Sequence, residues 1–311
     1  MKQINIRRCK KIFHVEERKT QMKYKHLLNK YETYAAYYPL CDEGRVALHK
    51  AATEICADEK LAAEALAFKA RLANITDWSG AEDLAKEITD KSVQFAAFTY
   101  TLAIEDMERL YEEKAMPRDV LTETIADLSV WINRHYNWFG EWGFSDCGWL
   151  NLHLNGKLFK LGRLQFEIGH TLGALPEECK LDLKEGDPYL NVHVPRGGSI
   201  DEAGCLESFE RAKAFFPQYF NIDFKAFGCH TWLFNPDFEE MLPYDSNILK
   251  FQRLFNICKT YENYDVLHYV FVNITKENIK DAPTDTRLRR AIIEHVLGGG
   301  TIQSGTGYRM F

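Results

Sequence analysis

The hydrophobic pattern of this 311-residue chain changes period part-way along, and that change limits the possible folds more than any single motif. Over about residues 27–135 apolar side chains recur at helical spacing: Leu61, Ala65, Phe68 and Leu72, then Phe95, Phe98 and Leu102, then Leu121, Ile125, Leu128 and Ile132. Pro117 can open a helix without losing a needed N–H, so one helix is predicted from there to Tyr136. An aromatic and glycine-rich segment follows, Trp138-Phe139-Gly140-Glu141-Trp142-Gly143-Phe144, and beyond it apolar and polar residues alternate as in strands that bury one face. The pattern predicts an α+β chain in three parts: a basic arm (1–24), a helical domain (25–143), and a mixed sheet flanked by helices (144–311).

Within the second half, 151–155 and 158–168 read as a hairpin turning at Asn155-Gly156, a dipeptide that readily supplies two positive φ values. Strands are predicted at 191–194, 226–233 and 265–272, and helices at 201–216, 247–257 and 285–296. Gly298-Gly299-Gly300 ends the last helix before a terminal strand.

Composition narrows the function classes. With 46% hydrophobic and 27% charged residues the chain is globular and long enough for two domains. A net charge of −6 gives no general attraction to nucleic acid or to an anionic membrane, and neither is expected as a partner. The local exception is the arm, where Lys2, Arg7, Arg8, Lys10 and Lys11 cluster without the apolar core of a signal peptide. No apolar stretch approaches the roughly 20 residues a membrane span needs. Eight cysteines are widely spaced with no C-x-x-C pair, which predicts reduced thiols, a cytoplasmic setting and no structural metal.

Alternation also sorts the polar residues. On the predicted strands Asn151, His153 and Asn155 share a side, as do Arg163, Gln165 and Glu167, and Asn191 and His193. Such a face is either the solvated side of a half-covered sheet or a polar cleft in which Glu167 or His193 takes a proton. The passage from His193 through Arg196, Gly197, Gly198 and Ser199 to Glu202 places two glycines before a predicted helix. Free N–H groups there can hold phosphate, unless Ser199 and Glu202 form a capping box that uses them internally. Cys229 and His230 are neighbours on a strand and point apart, so they do not form a nucleophilic pair. Cys229 reads as a core residue, and His230 as a core histidine or part of a pocket wall.

The segments Arg163-Leu-Gln-Phe-Glu167, His193-Val-Pro195 with Gly197 and Gly198, Cys229 to Pro236, Ser246 to Phe251, and Thr286 to Ala291 resemble, in order and spacing, a bacterial acyltransferase-domain family. Its members join an N-acyltransferase N-terminal helical domain to a GNAT-like C-terminal domain. The resemblance implies transfer of an acyl group from acetyl-CoA or another acyl-CoA to an amine, with small-molecule donor and acceptor as partners. It implies Glu167, His193 and His230 as catalytic candidates and Val194, Arg196, Gly197, Gly198 and Ser199 around the donor. GNAT enzymes rest the CoA pyrophosphate on a Q/R-x-x-G-x-G/A loop, and the corresponding passage here, Arg196 to Asp201, departs from that pattern. Two other readings stand beside it: a catalytically silent GNAT-like binding or sensing module, and a metal-dependent hydrolase using His153, His193 and His230.

Overall fold

The computed structural model describes residues 24–75, 78–145, 147–176 and 179–311, so the basic arm lies almost wholly outside the described residues. The chain divides into two compact units between Gly156 and Lys157.

The first unit is helical: α1 (Lys25–Ala35), α2 (Asp42–Ala57), α3 (Glu59–Leu72), α4 (Trp78–Thr89), α5 (Val93–Glu113), α6 (Arg118–Ile125), α7 (Asp127–Phe139) and α8 (Cys147–Leu154). Helix α5 is its axis. Ser92 caps it by accepting from the Phe95 N–H at 2.9 Å; residues from Phe95 to Ile104 are buried all round, and Met107 and Tyr111 continue the buried stripe. It packs against α1, α2, α3, α4 and α8. The single helix predicted from Pro117 to Tyr136 is two, broken at Ala126. The aromatic segment packs into this unit: Trp142 stacks on Tyr136 at 3.9 Å and lies over Gly44, where a Cβ would come within 2.8 Å of its ring.

The strand predicted at 151–155 is instead the end of α8. Cys147, Leu150, Asn151 and Leu154 are all buried, at spacings of three and four, so the same letters that alternate also make a helical stripe. Gly156, at φ +60°, closes that helix and is not a hairpin turn.

The second unit holds β1 (Leu158–Leu161), β2 (Leu164–Thr171), β3 (Pro188–His193), α9 (Glu202–Tyr219), β4 (Ala226–Thr231), the short helices α10 (Phe238–Met241) and α11 (Asn247–Gln252), β5 (Asn256–Glu262), α12 (Asp265–Val270), α13 (Arg287–Leu297) and β6 (Gln303–Met310). The six strands lie in the order β1-β2-β3-β4-β6-β5, antiparallel except for β3 and β4. The opening hairpin turns at Gly162-Arg163, between the paired Leu161 and Leu164, with glycine at φ +77° in the first central position. The strand predicted at 265–272 is helix α12, and the helix predicted at 247–257 stops at Gln252, giving way to β5.

One sheet face is aromatic. Phe166 and Phe227 meet Phe209 and Phe216 of α9, with Phe209 and Phe227 centroids 4.8 Å apart. A second core of Phe238, Leu249, Val266, Phe271, Ile292 and Ile302 joins α10 to α13. Cys179, in the β2–β3 connection, is joined by a disulfide to Cys258 in a bulge of β5, against the expectation of reduced thiols throughout. A pair 79 residues apart leaves no trace in cysteine spacing.

Phe209 is fully buried at the centre of the aromatic layer. Phe209→Ala is expected to cost about 3–5 kcal/mol in urea unfolding, with an unchanged denaturant slope.

Candidate active site

The face opposite α9 carries the polar side chains. Strand pairing sets Glu167 across from Asn191 and Gln165 across from His193. The Glu167 carboxylate accepts at Oε2 from His193 Nε2 (2.9 Å) and from Asn191 Nδ2 (3.1 Å), while its Oε1 lies 2.9 Å from His170 Nε2. The sequence-predicted pair Glu167 and His193 is therefore in direct contact. His170 was missed because it should point to the opposite face from Glu167. A bulge between the two, with Gly169 at φ +97°, changes the parity and turns His170 back beside the carboxylate.

Electrostatics follow from this arrangement. Burial would raise the Glu167 pKa, but the hydrogen bonds and charge of His170 and His193 outweigh it and hold the carboxyl well below the usual carboxylate range. Glu167 is an ionised acceptor whose two oxygens are both engaged.

His230 lies on neighbouring β4. Its Nδ1 is 2.9 Å from Thr306 Oγ1, its Nε2 is hydrogen-bonded to the Tyr261 hydroxyl, and the two rings stack at 5.4 Å. Burial lowers the His230 pKa and raises that of Tyr261, so both favour their neutral forms. Between these groups Gly228 leaves room for Tyr189 and Tyr308; a Cβ there would sit 2.6 Å from the Tyr189 ring.

Pairing of the parallel strands stops at Asn191 and Gly228, although β3 runs on to His193 and β4 to Thr231. Past β3, Val194 is half-buried and Arg196, Gly197, Gly198 and Ser199 are exposed, with both glycines at positive φ. The capping box expected from Ser199 and Glu202 does not form. Asp201 caps α9, accepting from the Gly204 N–H at 2.9 Å, and the Ser199 hydroxyl accepts from Asn247. The Arg196 guanidinium is turned onto the Tyr269 carbonyl at 2.8 Å.

Asn151, His153 and Asn155 are not on this face, because the first two lie in α8, Asn155 follows directly on its end, and all three belong to the first unit. His153 is buried there, with Nε2 3.1 Å from Asp127. The three-histidine arrangement of the hydrolase reading is thus not formed. Among the described residues no group of three or more His, Cys, Asp or Glu is placed to hold a metal ion.

Residues 32–156 match the N-acyltransferase N-terminal domain and residues 158–309 match the GNAT-like C-terminal domain. This chain belongs to the acyltransferase family built from those two domains.

Solved structures of comparable fold are acyltransferases with acyl-CoA or CoA bound. An acyltransferase in complex with decanoyl-CoA and teicoplanin is 28% identical at a TM-score of 0.60, over 70% of this chain and 66% of that one. An acyltransferase variant in complex with octanoyl-CoA, and an acyltransferase in complex with CoA and 10C-teicoplanin, are each 27% identical at the same TM-score and coverage. The chain thus spans just under two thirds of the length of these solved proteins. Among curated proteins none matches.

For a carboxylate whose folded pKa lies below its unfolded value, the stabilisation is complete above the usual value of 4.5 and is lost as pH falls below it. Glu167→Gln should therefore be less stable than the parent near neutral pH, and the gap should close on acidification below about pH 4.5. Urea titrations of both proteins across that range check it; a gap independent of pH would remove the ionised role given to Glu167.

Proposed function

We propose that this chain is an acyl-CoA-dependent N-acyltransferase, moving an acyl group from a CoA thioester to an amine. The observation that carries the reading is the Glu167–His193 pair at the end of β3, where pairing with β4 has ceased and a glycine loop leads into α9. Acyl-CoA and CoA bound to solved acyltransferases of comparable fold support it. A cytoplasmic location is part of the same reading, because an acyl-CoA donor is an intracellular metabolite.

The chemistry asks for a base first. An alkylamine near pKa 10.4 is neutral in on the order of one molecule per thousand at pH 7, so its proton must be removed as it attacks. Glu167, with both oxygens accepting hydrogen bonds and its pKa held down, is a weak base. His193 takes that role in this reading: donation from Nε2 to Glu167 puts the imidazole lone pair on Nδ1, and the carboxylate stabilises the imidazolium formed. Attack on the thioester carbonyl makes a C–N bond and an oxyanion, and collapse breaks the C–S bond. The Tyr261 hydroxyl, kept protonated and hydrogen-bonded to His230, is the candidate donor of the proton the thiolate takes up. Donor phosphates are assigned to the loop of Val194, Arg196, Gly197, Gly198 and Ser199.

The test is release of free CoA from decanoyl-CoA in the presence of an amine library, followed by thiol titration. His193→Ala is expected to lower the rate by about 10²-fold to 10⁴-fold while decanoyl-CoA binding persists. Binding without turnover with any amine, in the parent protein, would favour the silent sensing module; no binding by folded protein would end the donor reading altogether.

A further inference from the structure

Beneath the glycine loop lies a side chain that the chemistry above does not use. Arg163, at the hairpin turn before β2, sends its guanidinium into the concave side of the loop: Nε donates to the Ser199 carbonyl at 2.7 Å, Nη1 to Pro195 at 3.0 Å and Nη2 to Gly198 at 3.4 Å. Three carbonyls thus converge on one planar cation. In a trans peptide the N–H points away from the carbonyl of the same unit. The amides of Ser199 and Ile200 consequently face outward, and neither they nor those of Gly197 and Gly198 form a backbone hydrogen bond among the described residues. Such a run of outward N–H groups is a nest for an anion.

The arginine is itself held in place. Its backbone N–H donates to Ser208 Oγ at 2.8 Å, and that hydroxyl donates on to Gly204 in α9. The Asp201 carboxylate caps the Gly204 N–H at 2.9 Å through Oδ1. A Cβ added at Gly197 or Gly198 would meet nothing within 4 Å, so the outer side of the loop is open.

We infer that Arg163 is a positioning residue for donor binding: by gathering the carbonyls of Pro195, Gly198 and Ser199 it aims the loop amides at the phosphates of the acyl-CoA, which it does not itself touch. This rests on the donor reading given above and adds the group that shapes the phosphate site. Arginine is required because only a planar fork reaches three carbonyls at once; lysine keeps the charge and loses that geometry.

The experiment measures binding of decanoyl-CoA and of decanoyl-pantetheine, which lacks the phosphates, by calorimetry on the full chain. Arg163→Lys should weaken decanoyl-CoA by about tenfold to a hundredfold and leave decanoyl-pantetheine within about twofold. Gly197→Ala, which meets no atom but disfavours φ +92°, should show the same selectivity with the core intact. Decanoyl-CoA binding unchanged in both variants overturns the role of Arg163 and leaves the donor reading standing. Equal loss for both ligands also overturns it, since that marks general damage to the fold. If the parent protein binds neither ligand, the donor reading fails and this inference with it.

Discussion

Everything on the polar face depends on how β3 is connected to β4. The two strands are parallel neighbours, and a parallel pair needs a crossover that leaves the sheet and returns. That crossover is α9, and the phenylalanines it shares with β2 and β4 commit one face of the sheet to burial. The opposite face is left for polar side chains, and the end of β3 becomes the entrance to a helix. A hydrophobic contact on one side therefore decides where the hydrophilic chemistry lies on the other.

On that second face a carboxylate sits between two imidazoles. Burying Glu167 alone would cost free energy and favour its protonated form. His193 and His170, one on each oxygen, reverse the outcome. The bulge that delivers His170 leaves Ile168 without its normal cross-strand place, a local loss of ladder that β2 tolerates near its end.

The sequence made the outline of this arrangement visible and hid several of its parts, for physical reasons. Glu167, Asn191 and His193 share a face through simple alternation, so their proximity is readable from two regular strands. His170 is not, because a bulge breaks the period on which such reading depends. Asn151 and His153 failed in the opposite way: a short buried helix with apolar residues on most sides looks like alternation when only five residues are compared. Segment 265–272, rich in β-branched and aromatic residues, folds as α12 because Val266, Leu267 and Phe271 pack into the second core, where tertiary burial overrides propensity. The loop glycines were legible as the entrance to a helix, but the capping residue was misread by two positions, and nothing local pointed to Arg163 as their support, since its partners are more than thirty residues away.

The hairpin of β1 and β2 then acquires a role beyond closing the sheet. Arg163 at its turn shapes the loop after β3, while Glu167, four residues or about 13 Å further along β2, fixes His193 at the end of the same strand. Strand β3 and the loop after it thus receive both contacts from one neighbour, held at a constant separation by the rigid rise of a strand. A donor seated with its phosphates on the loop would have its distance to the imidazole set by that spacing. Ser208, whose hydroxyl accepts from the Arg163 and Leu164 N–H groups and donates to the Gly204 carbonyl, ties this ruler to α9. The helix that fills the aromatic face therefore also sets the register of the polar one.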